Sequence, residues 1–318
     1  MTPTARPRVL VIGAGVVGLS CAVRLVEDGF DVHVLARDLP LETTSAVAAA
    51  LWYPYRADPP HLVAGWARTT YDELLRIGDA DADAGVSVRW GTELLRERRP
   101  DPWWAPAVAA LDRVGRNRLP DGWTDGWRFP APVADMTAYL PWLARRLERA
   151  GGTLTRAAVP ALPDASLVVN CTGLAARALA RDGTVTPVRG QVVVVEQVGL
   201  DEWLLAGAAL PEPTYVIPRR KEIVVGGTAC EGNWDREPDD ETARRLLARA
   251  VALEPRLRGA RVLGSRVGLR PARPTVRLEA ERRDGRSVVH CYGHGGAGIT
   301  LSWGCADEVR ALVRNLAG

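Results

Sequence analysis

The sequence predicts an α/β protein: a Rossmann-type dinucleotide-binding domain interleaved with a mostly antiparallel β-sheet substrate domain. Three observations carry that prediction. First, the apolar run Val9-Leu10-Val11-Ile12 ends in Gly13-x-Gly15-x-x-Gly18, enters a helical pattern closed by Gly29, and resumes as a second apolar strand from Val32 to Ala36. Strand, tight turn, helix and strand form the context that makes three glycines a dinucleotide fingerprint. Second, far downstream, Leu167-Val168-Val169-Asn170-Cys171-Thr172-Gly173 reads as another strand ending in a glycine turn, which returns the chain to the first sheet. Third, the block from Gly190 to Gly227 is β-rich with turns and lacks helical period, so it reads as antiparallel.

Composition narrows the function classes. The 318 residues are 47% hydrophobic and 25% charged, so the chain is globular and neither disordered nor fibrous. A net charge of +3 without a basic run argues against nucleic acid. Five dispersed cysteines without CxxC spacing argue against a disulfide framework or a metal site and suit a reducing cytoplasm, the expected location. No stretch of about twenty apolar residues stands ready to span a bilayer, and no signal peptide is expected, because the first strand starts within about eight residues of the N-terminus.

Taken in order, Gly13 permits the turn, Gly15 lets the backbone approach a pyrophosphate, and Gly18 lets helix pack on strand. The end of the second strand usually carries an acid for the adenosine ribose; here Arg37 stands there, with Asp38 next. Either the acid is displaced by one, or the arginine touches the cofactor, or it marks the 2′-phosphate of NADP. The segment 54–127 predicts a helix over 64–77 and then a turn-rich, tryptophan-rich stretch, read as the core of a substrate domain in preference to a base-stacking surface. A helix follows from Asp135, closed by Gly151-Gly152, then strands over 153–159 and 165–171, and a charged helix over 239–253. Gly268-Leu269-Arg270-Pro271-Ala272-Arg273-Pro274 reads as a loop. The glycine-rich turn from Tyr292 to Thr300 then feeds a final helix over 301–316, whose N-terminus suits a cofactor region that gains negative charge.

With these stretches in hand, the chain resembles the D-amino-acid oxidase and glycine oxidase family. The anchors are Gly13 to Ser20, Ala36-Arg37-Asp38-Leu39-Pro40, Val47-Ala48-Ala49-Ala50-Leu51-Trp52, Val169-Asn170-Cys171-Thr172-Gly173, Arg189-Gly190-Gln191, Tyr215-Val216-Ile217-Pro218, Gly268-Leu269-Arg270-Pro271, Tyr292-Gly293-His294-Gly295-Gly296 and Trp303-Gly304-Cys305-Ala306. The resemblance implies FAD, held at the pyrophosphate by Gly13, Gly15, Val16, Val17 and Gly18 and near the adenosine by Arg37 and Asp38. It places Thr43, Thr44, Ser45, Ala49, Ala50 and Leu51 along the phosphates and flavin, Val159 at the adenine, Thr172 nearby, and Gly295, Gly296, Ala297, Gly298, Ile299 and Thr300 at the flavin.

The resemblance further implies oxidative deamination of a D-amino acid with O2 as oxidant, giving a 2-oxo acid, ammonia and hydrogen peroxide. Arg270 would hold the substrate carboxylate in a two-point fork, with Tyr215 beside it and the Gly296 carbonyl on the amine. The family's usual second active-site tyrosine is missing; Pro211 occupies its spacing, and Tyr53 or Tyr55 is the expected substitute wall. D-aspartate oxidases carry an extra arginine where this chain has Ala229, so neutral D-amino acids are favoured, although Arg219 or Arg220 reaching the pocket would reverse this. Glycine or sarcosine oxidation is the alternative within the fold, and a non-catalytic dinucleotide sensor is the alternative outside it. His294 is as suited to a structural turn as to a flavin contact, and Cys171 to packing. The expected FAD domain gathers 1–50, 136–188 and 262–318, the substrate domain 51–135 and 189–261, and relatives lead one to expect a homodimer.

Overall fold

The computed structural model describes residues 7–55, 57–207, 213–283 and 286–317, so Pro211 lies outside the described residues. The described strands join in one sheet with a parallel and an antiparallel half. In the parallel half, β1 (Arg8–Ile12) lies between β2 (Asp31–Ala36) and β7 (Leu167–Asn170), with β6 (Thr153–Arg156) beyond β2 and β14 (Arg286–His294) beyond β7. The other half runs β4 (Asp112–Arg113), β5 (Asp125–Ala134), β3 (Val86–Leu95), β9 (Trp203–Ala206), β10 (Thr214–Pro218), β11 (Glu222–Gly226), β8 (Thr186–Glu196). It is antiparallel except where β3 meets β9, and β12 (Cys230–Glu231) also pairs with β8. The long β13 (Val262–Arg283) pairs with β8 on one side and β14 on the other, and so joins the halves. This is the fold class the sequence predicts.

Helix placement follows from apolar spacing. Helices α1 (Val16–Glu27), α4 (Met136–Arg149) and α7 (Gly298–Ala317) cover one face of the parallel half, burying Leu19, Val23, Leu140, Leu143, Leu301 and Val309 completely. Each such side chain contributes about 1.5–3 kcal/mol. Between them in sequence come the single turn α2 (Thr44–Val47) and the 21-residue α3 (Pro60–Ala80), which packs on α7. After the single turn α5 (Ala176–Leu179), α6 (Asp240–Leu253) sets Leu246 and Ala250 against Val193, Val216 and Val225 of the antiparallel half. The starts of α4 and α6 are fixed by caps: Asp135 accepts from the Thr137 amide at 3.0 Å and Asp239 from the Thr242 amide at 2.7 Å.

Four expectations are corrected. The turn-rich middle segment contains β3 and β5, each ten residues long and paired along their whole length. The segment from Gly268 to Pro274 is strand and not loop: Pro271 stands opposite Pro187 of β8, and Pro274 falls where the β13–β14 register shifts between Ala272 and Arg277. The strand expected over 153–159 stops at Arg156, and the last helix begins at Gly298, three residues earlier than expected. The tryptophans are mostly core: Trp104 meets Trp52, Trp127 and Phe129 with ring centroids 6.2, 6.3 and 4.8 Å away.

Candidate active site

A cavity of about 690 Å³ runs from the β1–α1 turn to the antiparallel sheet. Its middle is built by the glycines. Gly13 takes a φ of +112°, and a Cβ there would stand 2.5 Å from the Cys171 carbonyl oxygen; a Cβ on Gly18 would stand 2.0 Å from the Gly13 oxygen. Helix α1 therefore starts hard against the strand end, and its N-cap, Gly15, offers no side-chain acceptor. The first-turn residues Val16, Val17 and Gly18 line the cavity, and Val16 N–H donates to the Ser45 hydroxyl at 3.0 Å. A helix N-terminus whose N-cap residue has no side chain to fill it stabilises phosphate, and the donors, length and apolar walls of the cavity fit FAD.

Of the residues assigned to the cofactor, all line this cavity except Ala297 and Thr300. Ala297 is fully buried, and the Thr300 hydroxyl is occupied by Tyr53, whose amide donates to it at 3.1 Å and whose carbonyl accepts from it at 3.0 Å. At the end of β2, Arg37 donates to Asp38 through Nε at 3.0 Å and Nη2 at 2.5 Å. That hydrogen bonding holds the Asp38 carboxyl below its ordinary value. Both residues line the cavity, and Arg37 is ion-paired with Asp38.

At the other end four residues converge. The Arg270 guanidinium lies over Gly190, where a Cβ would be 2.3 Å from Nη1, and Nη1 donates to the Thr228 carbonyl at 2.9 Å. The Tyr215 ring lies over Gly226 and Gly227, where a Cβ would be 2.3 and 2.8 Å from the phenol oxygen. Burial pushes the Tyr215 phenol up, against the opposing effect of Arg270, so it stays a neutral donor. A Cβ on Gly296 would be 2.7 Å from Tyr55 Cδ1 and 3.5 Å from Arg270 Cδ. Among the described residues no carboxylate lies within ion-pairing distance of Arg270, whereas Arg273 is bound to Asp182 at 2.9 Å. Although burial pushes Asp182 up, hydrogen bonds from Thr184, Arg273 and Tyr292 hold it well below the usual carboxylate range. Arg273 thus holds the salt bridge, whereas Arg270 donates to an uncharged partner, the Thr228 carbonyl.

Arg219 does not reach the cavity. Its guanidinium is 2% exposed, donating to Glu222 at 3.0 Å and to the Ala48 carbonyl at 2.5 Å, so it braces the run that includes Ala49 to Leu51. Arg220 is exposed and outside the cavity. His294 is buried on the cavity wall, its Nε2 3.9 Å from Cys291 Sγ. Cys171 lies 4.0 Å from Cys21, whose thiol is pushed up by that contact and by burial, which leaves it protonated packing.

Sequence reasoning missed Glu93. It is 3% exposed on β3, its Oε1 accepts from the Tyr53 hydroxyl at 2.9 Å, and burial pushes its carboxyl up to about 7. With β3 unrecognised, the residue carried no signal. Trp234 and Arg236, also on the cavity, sit in a loop that no periodicity marks.

Fold and cavity define a dinucleotide-binding protein whose cofactor cavity continues to the Arg270 and Tyr215 side chains. The comparisons with known proteins place it further: a family model described as FAD dependent oxidoreductase (DAO) matches residues 8–312, and the chain belongs to this family, with FAD as its cofactor. It is 52% identical over 311 residues to a D-amino-acid oxidase of Rubrobacter xylanophilus, covering 96% of this chain and 95% of that one. It is 44% identical over 308 residues to a D-amino-acid oxidase of Streptomyces coelicolor, covering 96% of each. A solved glycine oxidase from Geobacillus kaustophilus shares the fold, with a TM-score of 0.80 at 21% identity over 98% of this chain and 95% of that one. No described helix is long and apolar enough to cross a membrane.

Proposed function

We propose that the chain catalyses oxidative deamination of neutral D-amino acids to 2-oxo acids, ammonia and hydrogen peroxide. The observation that carries this is Arg270: a guanidinium without a carboxylate partner among the described residues, set beside the Tyr215 hydroxyl and Gly296 at one end of the cofactor cavity. A fork of this kind takes an α-carboxylate through two parallel hydrogen bonds. The Gly296 carbonyl is the acceptor assigned to the neutral amine. With carboxylate and amine both held, one enantiomer turns its α-hydrogen toward the cofactor and the other turns it away. The bound flavin supplies the hydride acceptor, which O2 reoxidises. The chain's part is orientation and exclusion of water, and a substrate whose amine is already neutral needs no general base.

The side-chain end of the cavity is walled by Leu51, Tyr53, Tyr55, Leu205, Pro213 and Ile217. Among the described residues the arginines on the cavity are Arg37, Arg236 and Arg270. With Arg219 committed to Glu222 and Ala48, this supports neutral over acidic substrates. The five free cysteines support a reducing compartment. The expected homodimer is tested by light scattering.

Anaerobic mixing tests the reading directly: D-alanine should bleach the flavin and L-alanine should not. Parallel oxygen assays with D-Ala, D-Val, D-Phe, D-Asp and sarcosine then set the class. Dominant turnover of D-Asp refutes the neutral preference, sarcosine outrunning D-Ala moves the chain to glycine oxidation, and no bleaching by any of them refutes the oxidase reading.

A further inference from the structure

The segment from Glu231 to Asp239 follows β12 in the antiparallel half, yet it reaches the cofactor cavity, where Trp234 and Arg236 form part of the wall. Trp234 is 54% exposed, the most exposed large apolar side chain among the described residues. An indole left uncovered on the wall of a dinucleotide cavity is a stacking surface for a base. Arg236 acts on the same end: after the hydrogen bond from Arg37, its charge is among those that hold the Asp38 carboxyl low. Asp38 lies two residues past the end of β2, near where this fold holds the adenosine ribose, which places Arg236, and Trp234 two residues away on the cavity wall, toward the adenosine end.

The loop is built to hold its shape. The Asp235 amide donates to Asn233 Oδ1 at 2.8 Å and the Glu237 amide to Asp235 Oδ1 at 2.9 Å. From β8, Arg189 donates to the carbonyls of Asp235 and Glu237 at 3.1 and 2.5 Å. Gln191 binds both backbone groups of Asp239, at 3.0 Å to the amide and 2.7 Å to the carbonyl. Arg189 is 5% exposed and Gln191 fully buried, so these bonds are shielded from water. In a strand, residues two apart share a face. Arg189 and Gln191 therefore brace the loop on one side of β8, while Gly190 between them makes room for Arg270 on the other.

We propose that residues 231–239 form a clasp over the adenosine half of FAD, with the Trp234 indole against the adenine, the Arg236 guanidinium on the adjoining anionic backbone, and Arg189 with Gln191 as its brace. The clasp concerns cofactor retention and stands apart from which amine is oxidised.

The test uses full-length apoprotein titrated with FAD, with ADP as the adenosine half alone and with FMN as the flavin half alone. For Trp234→Ala and Arg236→Ala, FAD and ADP should bind about tenfold or more weakly, in line with the loss of a stacked or charged contact. FMN affinity should stay within about twofold, and Trp234→Phe should restore most of the FAD affinity. FAD and ADP affinities within twofold of wild type in both alanine variants overturn the clasp. An equal loss of FMN affinity overturns it too, because the effect is then general to the fold.

Discussion

Arg270 could be singled out from the sequence through the family resemblance, in which the arginine of Gly-Leu-Arg-Pro takes the substrate carboxylate, a match that a guanidinium fork suits. The structure adds that Gly190, Tyr215 and the Thr228 carbonyl hold the fork while no described carboxylate neutralises it. Arg270→Ala should therefore cost about 3 kcal/mol or more, on the order of a hundredfold in kcat/KM; near-normal steady-state kinetics would remove the residue from the substrate site. Glu93 was not legible, because a glutamate reads as surface until its strand is known to be covered. Its raised pKa means the fold prefers the neutral acid, so this group favours folding most below its ordinary pKa of 4.5, and the advantage is lost as pH rises through about 7. The difference amounts to about 3 kcal/mol. Denaturation of holoenzyme in urea should show wild type losing stability relative to Glu93→Gln between about pH 5 and 8, while glutamine still accepts from Tyr53. A gap that does not change with pH would contradict a buried neutral carboxyl.

At the scale of elements, the glycines of β8 and β11 act as seats for side chains from neighbouring strands. A Cβ on Gly190 would meet three guanidinium atoms of Arg270 at 2.3–2.4 Å, and one on Gly226 would meet the Tyr215 ring at 2.2 Å. Gly190→Ala should thus raise KM for D-alanine by roughly tenfold or more through a displaced fork, with FAD affinity kept; loss of FAD binding of equal size would mean the strand itself had moved. The sequence displayed Gly190 inside Arg189-Gly190-Gln191 but not its use, since cross-strand seating depends on register. The same limit explains the uneven reading of the elements. The starts of α4 and α6 follow from Asp135 and Asp239, whose capping chemistry lies within three residues. Strands β3 and β5 depend on pairing across the 29 residues of turn-rich chain between them, and within β13 Pro274 falls where the register with β14 shifts, a feature visible only in three dimensions.

For the molecule as a whole, the cavity is lined from both halves of the sheet, by the β1–α1 turn and the entry to α7 on one side and by Leu205, Tyr215 and Arg270 on the other. The halves also share β13, which pairs with β8 from Val262 to Ala272 and with β14 from Ala272 to Arg283. A cofactor that binds only this folded arrangement shifts the folding equilibrium in proportion to its occupancy: at a free concentration about 100 times Kd it contributes about 2.7 kcal/mol. For a chain of this size that stabilisation should raise Tm by roughly 5 °C. Differential scanning calorimetry of apoprotein with and without added FAD measures the shift. Because each half supplies walls to the cavity, both should gain, and holoenzyme should melt in one transition displaced upward. A holoenzyme trace in which part of the heat stays at the apoprotein temperature would show that the cofactor stabilises one half alone, and that β13 does not couple the two.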